Sequence, residues 1–98
     1  MRIEVAGSPS EFADRLRAYA EYRVFLRLAP VANLVGIVRV IVRAVGSGPA
    51  TSCLIVAELG PAESTQARAY CTEPSKAIDV AVTRLEETVR DRLNRRAG

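Results

Sequence analysis

Leu34-Val35-Gly36-Ile37-Val38-Arg39-Val40-Ile41-Val42-Arg43-Ala44-Val45 is the stretch that decides the architecture. It is rich in β-branched residues and alternates. Val38, Val40, Val42 and Ala44 share one face; Ile37, Arg39, Ile41 and Arg43 share the other. Successive side chains of a strand point to opposite faces, so the pattern predicts a strand over 34–45, the longest of the chain. Arg39 and Arg43 interrupt the run, which is also too short to span a bilayer. Downstream, Gly46-Ser47-Gly48-Pro49 predicts a turn. Thr51 to Leu59 predicts the next strand, with Cys53, Ile55, Ala57 and Leu59 on one face. Gly60-Pro61-Ala62-Glu63 turns the chain again, and Ser64 to Cys71 returns with Ala67, Ala69 and Cys71 inward. A hairpin centred on Ala62 sets Cys53 opposite Cys71, both as small buried thiols.

Upstream, Met1 to Ala6 alternates Ile3 and Val5 against Arg2 and Glu4, predicting a short half-buried strand. Gly7-Ser8-Pro9-Ser10-Glu11 then carries helix-start signals. Ser8 is placed to cap, Pro9 to occupy the first helical position, and Glu11 to close a capping box. The helix is expected to run to Leu28 and stop at Pro30. Phe12, Leu16, Tyr19, Ala20 and Val24 form its apolar stripe, and Arg15, Arg17, Arg23 and Arg27 lie off it. At the other end, Ile78, Ala81, Val82, Leu85, Val89 and Leu93 keep helical spacing after Glu73-Pro74-Ser75. The order is β-α-β-β-β-α, an α+β fold occupying 1–98 as a single domain. Short connections and right-handed crossovers predict a four-stranded mixed sheet whose first helix links two parallel strands. Both helices then cover one face, and the other face stays open.

The function classes narrow by elimination. The chain has 98 residues, 49% of them hydrophobic, with no histidine. That removes the commonest general base and the commonest metal ligand. Cys53 and Cys71 lack zinc-site spacing, and no glycine-rich phosphate loop occurs. Glu86, Glu87 and Asp91 are expected on a solvated helix face. The chain is therefore expected to be non-enzymatic, with no cofactor and no metal. Glu4 and early turn residues do not make a secretory signal, so a soluble, cytoplasmic protein with no membrane partner is expected.

Net charge is only +3, and its distribution says more. Lys76 is the single lysine among 14 basic residues. Arginine suits phosphate and stacked bases, while a GC-rich genome produces the same bias. Arg90, Arg92, Arg95 and Arg96 crowd the end of the last helix against Asp91 alone, with Arg84 earlier. The helix macrodipole and the i,i+4 pairs Glu86–Arg90 and Asp91–Arg95 account for part of this cluster. Arg92 and Arg96 have no acid four positions before them. Arg23 and Arg27 lie one turn apart on the first helix, next to Tyr22. With the helices side by side, these arginines would join into one basic face suited to a phosphate backbone, with Tyr22 available to stack on a base. The open sheet face gathers Ile37, Ile41, Leu54, Val56 and Tyr70 beside Arg39, Arg43, Arg68 and Glu58. So much branched apolar surface predicts an interface, with a homodimer as its simplest form.

Five stretches stand in a telling order: Ile3-Glu4-Val5-Ala6-Gly7, Leu16-Arg17-Ala18-Tyr19-Ala20-Glu21, Val38-Arg39-Val40, Cys53 to Leu59 and, most specific, Lys76-Ala77-Ile78-Asp79 with Arg84-Leu85. Together they resemble the ribosome hibernation-promoting factor family, also called ribosome-associated inhibitor or sigma-factor modulation proteins. The resemblance implies the short form of the family. Such proteins sit in the decoding region of the small ribosomal subunit, contact its rRNA through basic residues of both helices, and obstruct mRNA and tRNA. By position, Arg23, Arg27, Arg84 and Arg92 would be phosphate contacts, with Arg90, Arg95 and Arg96 completing the cluster. Glu87 and Thr88 depart from the family's closely spaced basic residues, and the turn at Gly46 to Ala50 is short. The competing expectation is a divergent member that has lost ribosome binding and acts as a homodimeric or protein-binding module through the open sheet face.

Overall fold

Strand alternation builds the platform. The computed structural model describes residues 1–7 and 13–97, and in it four strands form one mixed sheet in the order β1-β2-β3-β4. They are β1 (Arg2–Ala6), β2 (Ile37–Ala44), β3 (Thr51–Gly60) and β4 (Glu63–Cys71). β1 runs parallel to β2, with Ile3 opposite Val38 and Val5 opposite Val40, and the other neighbours are antiparallel. The predicted faces are as expected. Val38, Val40, Val42, Cys53, Ile55, Ala57, Leu59, Ala67 and Ala69 are all buried.

Two helices cover that inner face. α1 (Asp14–Leu28) lies beside β1, and α2 (Pro74–Ala97) crosses β3 and β4 and packs along α1. Ala20, Val24 and Leu28 of α1 meet Ala77, Ile78, Ala81, Val82, Leu85 and Val89 of α2 in one core with the sheet. Pro74 occupies the first helical position, where its missing N–H costs nothing. The Glu73 carbonyl accepts the Ala77 N–H at 3.1 Å. The order β-α-β-β-β-α and the α+β class are those read from the sequence. Among the described residues no helix is long and apolar enough to cross a membrane.

Three local expectations change. The predicted cap and capping box at Ser8, Pro9 and Glu11, and Phe12 of the stripe, lie outside the described residues. Ala13 is extended (φ −76°, ψ 153°), so the helical run ending at Leu28 starts at Asp14 rather than at Pro9. After Leu28 the chain does not simply stop at Pro30: Ala29–Leu34 forms a 3₁₀ segment kinked at Val31, and β2 begins only at Ile37. Proline cannot donate the α-helical bond, and a tighter turn satisfies the remaining groups.

The third change is one of register. Cys53 faces Ala69, and Cys71 faces Thr51, so the two thiols are diagonal neighbours and not opposite each other. An irregularity between Glu58 and Gly60 moves the centre of the hairpin. The slip is even, so the inner and outer sets are preserved. Both cysteines are free, and burial pushes the Cys53 thiol up to about 12.

Candidate nucleic-acid interface

The seam between α1 and α2 is where the charged side chains converge. Asp79, one turn into α2, accepts a 2.5 Å hydrogen bond from the Tyr19 hydroxyl on its Oδ1. That bond, aided by partial burial and the Asp79 charge, raises the Tyr19 pKa above its ordinary 10.0. Arg23 Nε lies 3.2 Å from the same oxygen, an ion pair whose N–H is not aimed well enough to count as a hydrogen bond. Two turns along, Glu86 is held at the seam with only 15% of its side chain exposed. It accepts Arg27 Nη1 at 3.2 Å from α1 and pairs with Arg90 of its own helix at 3.2 Å.

The far end of α2 projects over the β3–β4 hairpin. There Glu63 accepts Arg92 Nη1 at 3.3 Å on one oxygen and Arg96 Nη2 on the other. The hydrogen bond from Arg96, with the neighbouring positive charges, holds the Glu63 carboxyl below its ordinary 4.5. Gly60 leaves room for this reach, since a Cβ there would stand 3.2 Å from Arg96 Nη2. Arg95 pairs with Asp91 at 3.0 Å within the helix. Arg84 has no carboxylate partner among the described residues; its Nη1 donates to the Arg68 carbonyl of β4 at 2.8 Å.

Of the seven arginines singled out from the sequence, six are thus in ion pairs, and Arg84 is tied to the main chain. The pairs Glu86–Arg90 and Asp91–Arg95 were legible as i,i+4 spacings. Glu63 and Asp79 as partners were not. Glu63 explains the two arginines that local spacing leaves without an acid, and nothing near it in the sequence announces the contact. Tyr22 is 59% exposed and lies beside Met1, Ile3 and Phe25, on the β1 side of α1.

On the open sheet face, Ile37, Ile41, Leu54 and Val56 are half-buried and Tyr70 is exposed. Ile41 stands opposite Leu54, and Leu54 opposite Arg68. Arg39 donates to Glu4 at 3.2 Å, and Arg68 Nη1 donates to the Tyr70 hydroxyl at 3.1 Å. Among the described residues, no group of three or more histidine, cysteine, aspartate or glutamate side chains is placed to hold a metal ion.

No protein-family model matches the chain, and no curated protein matches it. Solved structures do. One is a ribosomal subunit interface protein from Coxiella burnetii, at a TM-score of 0.81 and 18% identity, covering 96% of this chain and 99% of that one. Another is the N-terminal domain of Protein Y from Thermus thermophilus, at a TM-score of 0.74 and 24% identity, covering 93% and 98%. The chain shares their fold. The likeness runs through both helices and all four strands, so the arginine-bearing α2 belongs to the shared architecture and is not an appendage to it.

Proposed function

We propose that the protein is a ribosome-associated factor that occupies the small ribosomal subunit, holds its rRNA through the outer surface of the helix layer, and silences translation by steric exclusion. One observation supports the reading above all: the end-to-end likeness in fold to a ribosomal subunit interface protein. The sequence resemblance around Ala77-Ile78-Asp79 points the same way. The proposed contacts are Arg23, Arg27, Arg84, Arg90, Arg92, Arg95 and Arg96, and no chemistry is required of them.

The ion pairs shape the proposed mechanism. Surface pairs are worth about 0–1 kcal/mol each, so a phosphate can replace a carboxylate on a guanidinium at little cost. Arginine also grips phosphate with a planar fork that a pair with Glu63 or Glu86 already holds in place. Binding by such exchange is driven by counterion release and weakens steeply with salt. The test is co-sedimentation with purified small subunits over a salt series. Arg84→Glu combined with Arg92→Glu is expected to weaken binding at least about tenfold and to lower the salt slope by about two. Undiminished binding in the double variant refutes the assigned surface.

A second reading, a protein-binding module acting through the open sheet face, is favoured by the exposed Tyr70 beside the Ile41–Leu54 pair. Under it Ile41→Asp abolishes assembly with the partner while the arginine changes do little. Under the ribosomal reading the order of effects is reversed, as co-sedimentation of the Ile41→Asp variant would show.

A further inference from the structure

β1 is an edge strand: among the described residues it pairs with β2 alone. The Arg2 N–H donates to the Gly36 carbonyl, next to β2, at 3.1 Å. The backbone polar groups of successive strand residues point to alternate sides, so Arg2, Glu4 and Ala6 aim theirs at β2. Ile3 and Val5 aim theirs at the open edge. Such a row of N–H and C=O groups is a template for another strand. Beside it runs a largely apolar groove of about 480 Å³ between β1 and α1, lined by Met1, Ile3, Ala18, Glu21, Tyr22, Phe25 and Ala32. Tyr22 and Phe25 are 59% and 54% exposed, large aromatic surfaces that the fold itself does not cover.

We propose that β1 pairs antiparallel with β1 of a second copy across a two-fold axis, with Ile3 opposite Ile3 of that copy, joining two sheets into one. Three registers would satisfy outward backbone groups: Ile3 opposite Ile3, Ile3 opposite Val5, or Val5 opposite Val5, the last setting Glu4 against Ala6 with no charges paired. The second sets Glu4 against Glu4 of the other copy. The first sets Arg2 against Glu4 twice, once on each side of the axis. These pairs fall at the non-hydrogen-bonded positions, where side chains approach most closely. Opposite charges directly across a ladder stabilise it and like charges destabilise it, so the charge pattern selects the first register. Within one copy Glu4 is held on the outer face by Arg39 at 3.2 Å and by Arg2 of its own strand at 3.4 Å, so across the axis the two Arg2 and two Glu4 side chains form one shared cluster. On the inner face the Ile3 contact is continuous with the two grooves, so the exposed Tyr22 and Phe25 of both copies flank the seam. Self-complementarity of charge about a two-fold axis is what commits the edge to a second copy rather than to an unrelated peptide.

The test is sedimentation equilibrium of the whole chain over a concentration series, with far-UV circular dichroism to confirm folding. A dimer is expected for the native sequence. Arg2→Glu alone and Glu4→Arg alone should each weaken it about tenfold or more, and the two together should restore it. Phe25→Ser, which alters an exposed side chain outside the core, should also weaken it. A native chain that stays monomeric into the high micromolar range overturns the proposal. So does a double variant as weak as the single ones, or a dimer indifferent to these changes but lost in Ile41→Asp, which would move the contact to the open face. None of these outcomes bears on ribosome association, which is read by co-sedimentation.

Discussion

The helix layer and the open sheet face both carry arginines, and they compensate them to different degrees. In the helix layer, Arg23, Arg27, Arg90, Arg92, Arg95 and Arg96 each lie within ion-pair distance of a carboxylate. On the sheet face, Arg43 and Arg68 have no carboxylate partner among the described residues, while Arg39 and Arg2 share Glu4. A count of basic residues therefore misjudges both surfaces. The helix layer has more cations and less uncompensated charge per cation. Four of the six meet an acid on another element, Asp79 and Glu86 across the helix seam and Glu63 across to the hairpin, so those pairs also fix where long side chains stand. Ordering a free arginine costs up to about 2 kcal/mol of side-chain entropy, and the helix-layer arginines have met part of that cost on folding. On the sheet, Arg39 and Arg2 share one carboxylate and Arg68 donates only to the Tyr70 hydroxyl, and the sheet-face arginines stand among Ile37, Ile41, Leu54 and Val56.

The largest effect expected tests whether the two faces differ in packing as they do in charge. Leu85 is fully buried between α2 and the sheet, whereas Leu54 is half-buried on the open face. Leu85→Ala should cost about 2–5 kcal/mol in urea unfolding and loosen every ion pair that depends on the seating of α2. Leu54→Ala should cost well under half as much. Equal losses would mean that the open face is packed like a core, and the contrast between the layers would collapse.

A smaller effect probes the seam itself. Tyr19→Phe removes the hydrogen bond to Asp79 and should cost about 1 kcal/mol. The folded Tyr19 pKa is raised, chiefly by that bond. Its contribution is therefore whole below the ordinary value of 10.0 and is lost as pH rises through the higher folded value. Unfolding followed into the alkaline range should show this loss in the native chain and not in Tyr19→Phe. An identical alkaline profile in both would assign the pH dependence to other groups.

How much of this was legible in the sequence follows from the range of each interaction. The strand faces could be read because period-two alternation is local: Val38, Val40 and Val42 are buried as the pattern requires, and so are Cys53, Ile55 and Ala57. The Glu86–Arg90 and Asp91–Arg95 pairs could be read because four residues make one helical turn. Arg92 and Arg96 could not be assigned, since Glu63 lies 29 and 33 positions away. Nor could the placement of Cys71, which rests on an irregularity beside a turn. The Ala77-Ile78-Asp79 stretch, the most specific point of the family resemblance, does structural work here. Ala77 and Ile78 are fully buried, and Asp79 joins α2 to Tyr19 and Arg23 of α1. Its burial and its contacts with α1 argue for the fold.

The smallest expected change in stability carries the sharpest test of the comparison. Glu63 is half-exposed on the β3–β4 hairpin, and its folded pKa is lowered, chiefly by the hydrogen bond from Arg96. Its pairing therefore contributes fully above the ordinary value of 4.5 and is lost as pH falls through the lower folded value, so at neutral pH the carboxylate is charged and engaged. Glu63→Gln leaves a neutral side chain of the same shape and should change unfolding stability little, because exposed pairs contribute little. It also releases Arg92 and Arg96 together. If Glu63 mainly masks them, the variant should bind small subunits more tightly than the native chain at low salt, with a salt slope steeper by up to about two. If Glu63 mainly positions them, binding should weaken instead, because two ordered guanidinium groups become mobile. The sign of the change decides whether the helix layer's internal acids restrain the proposed binding surface or build it.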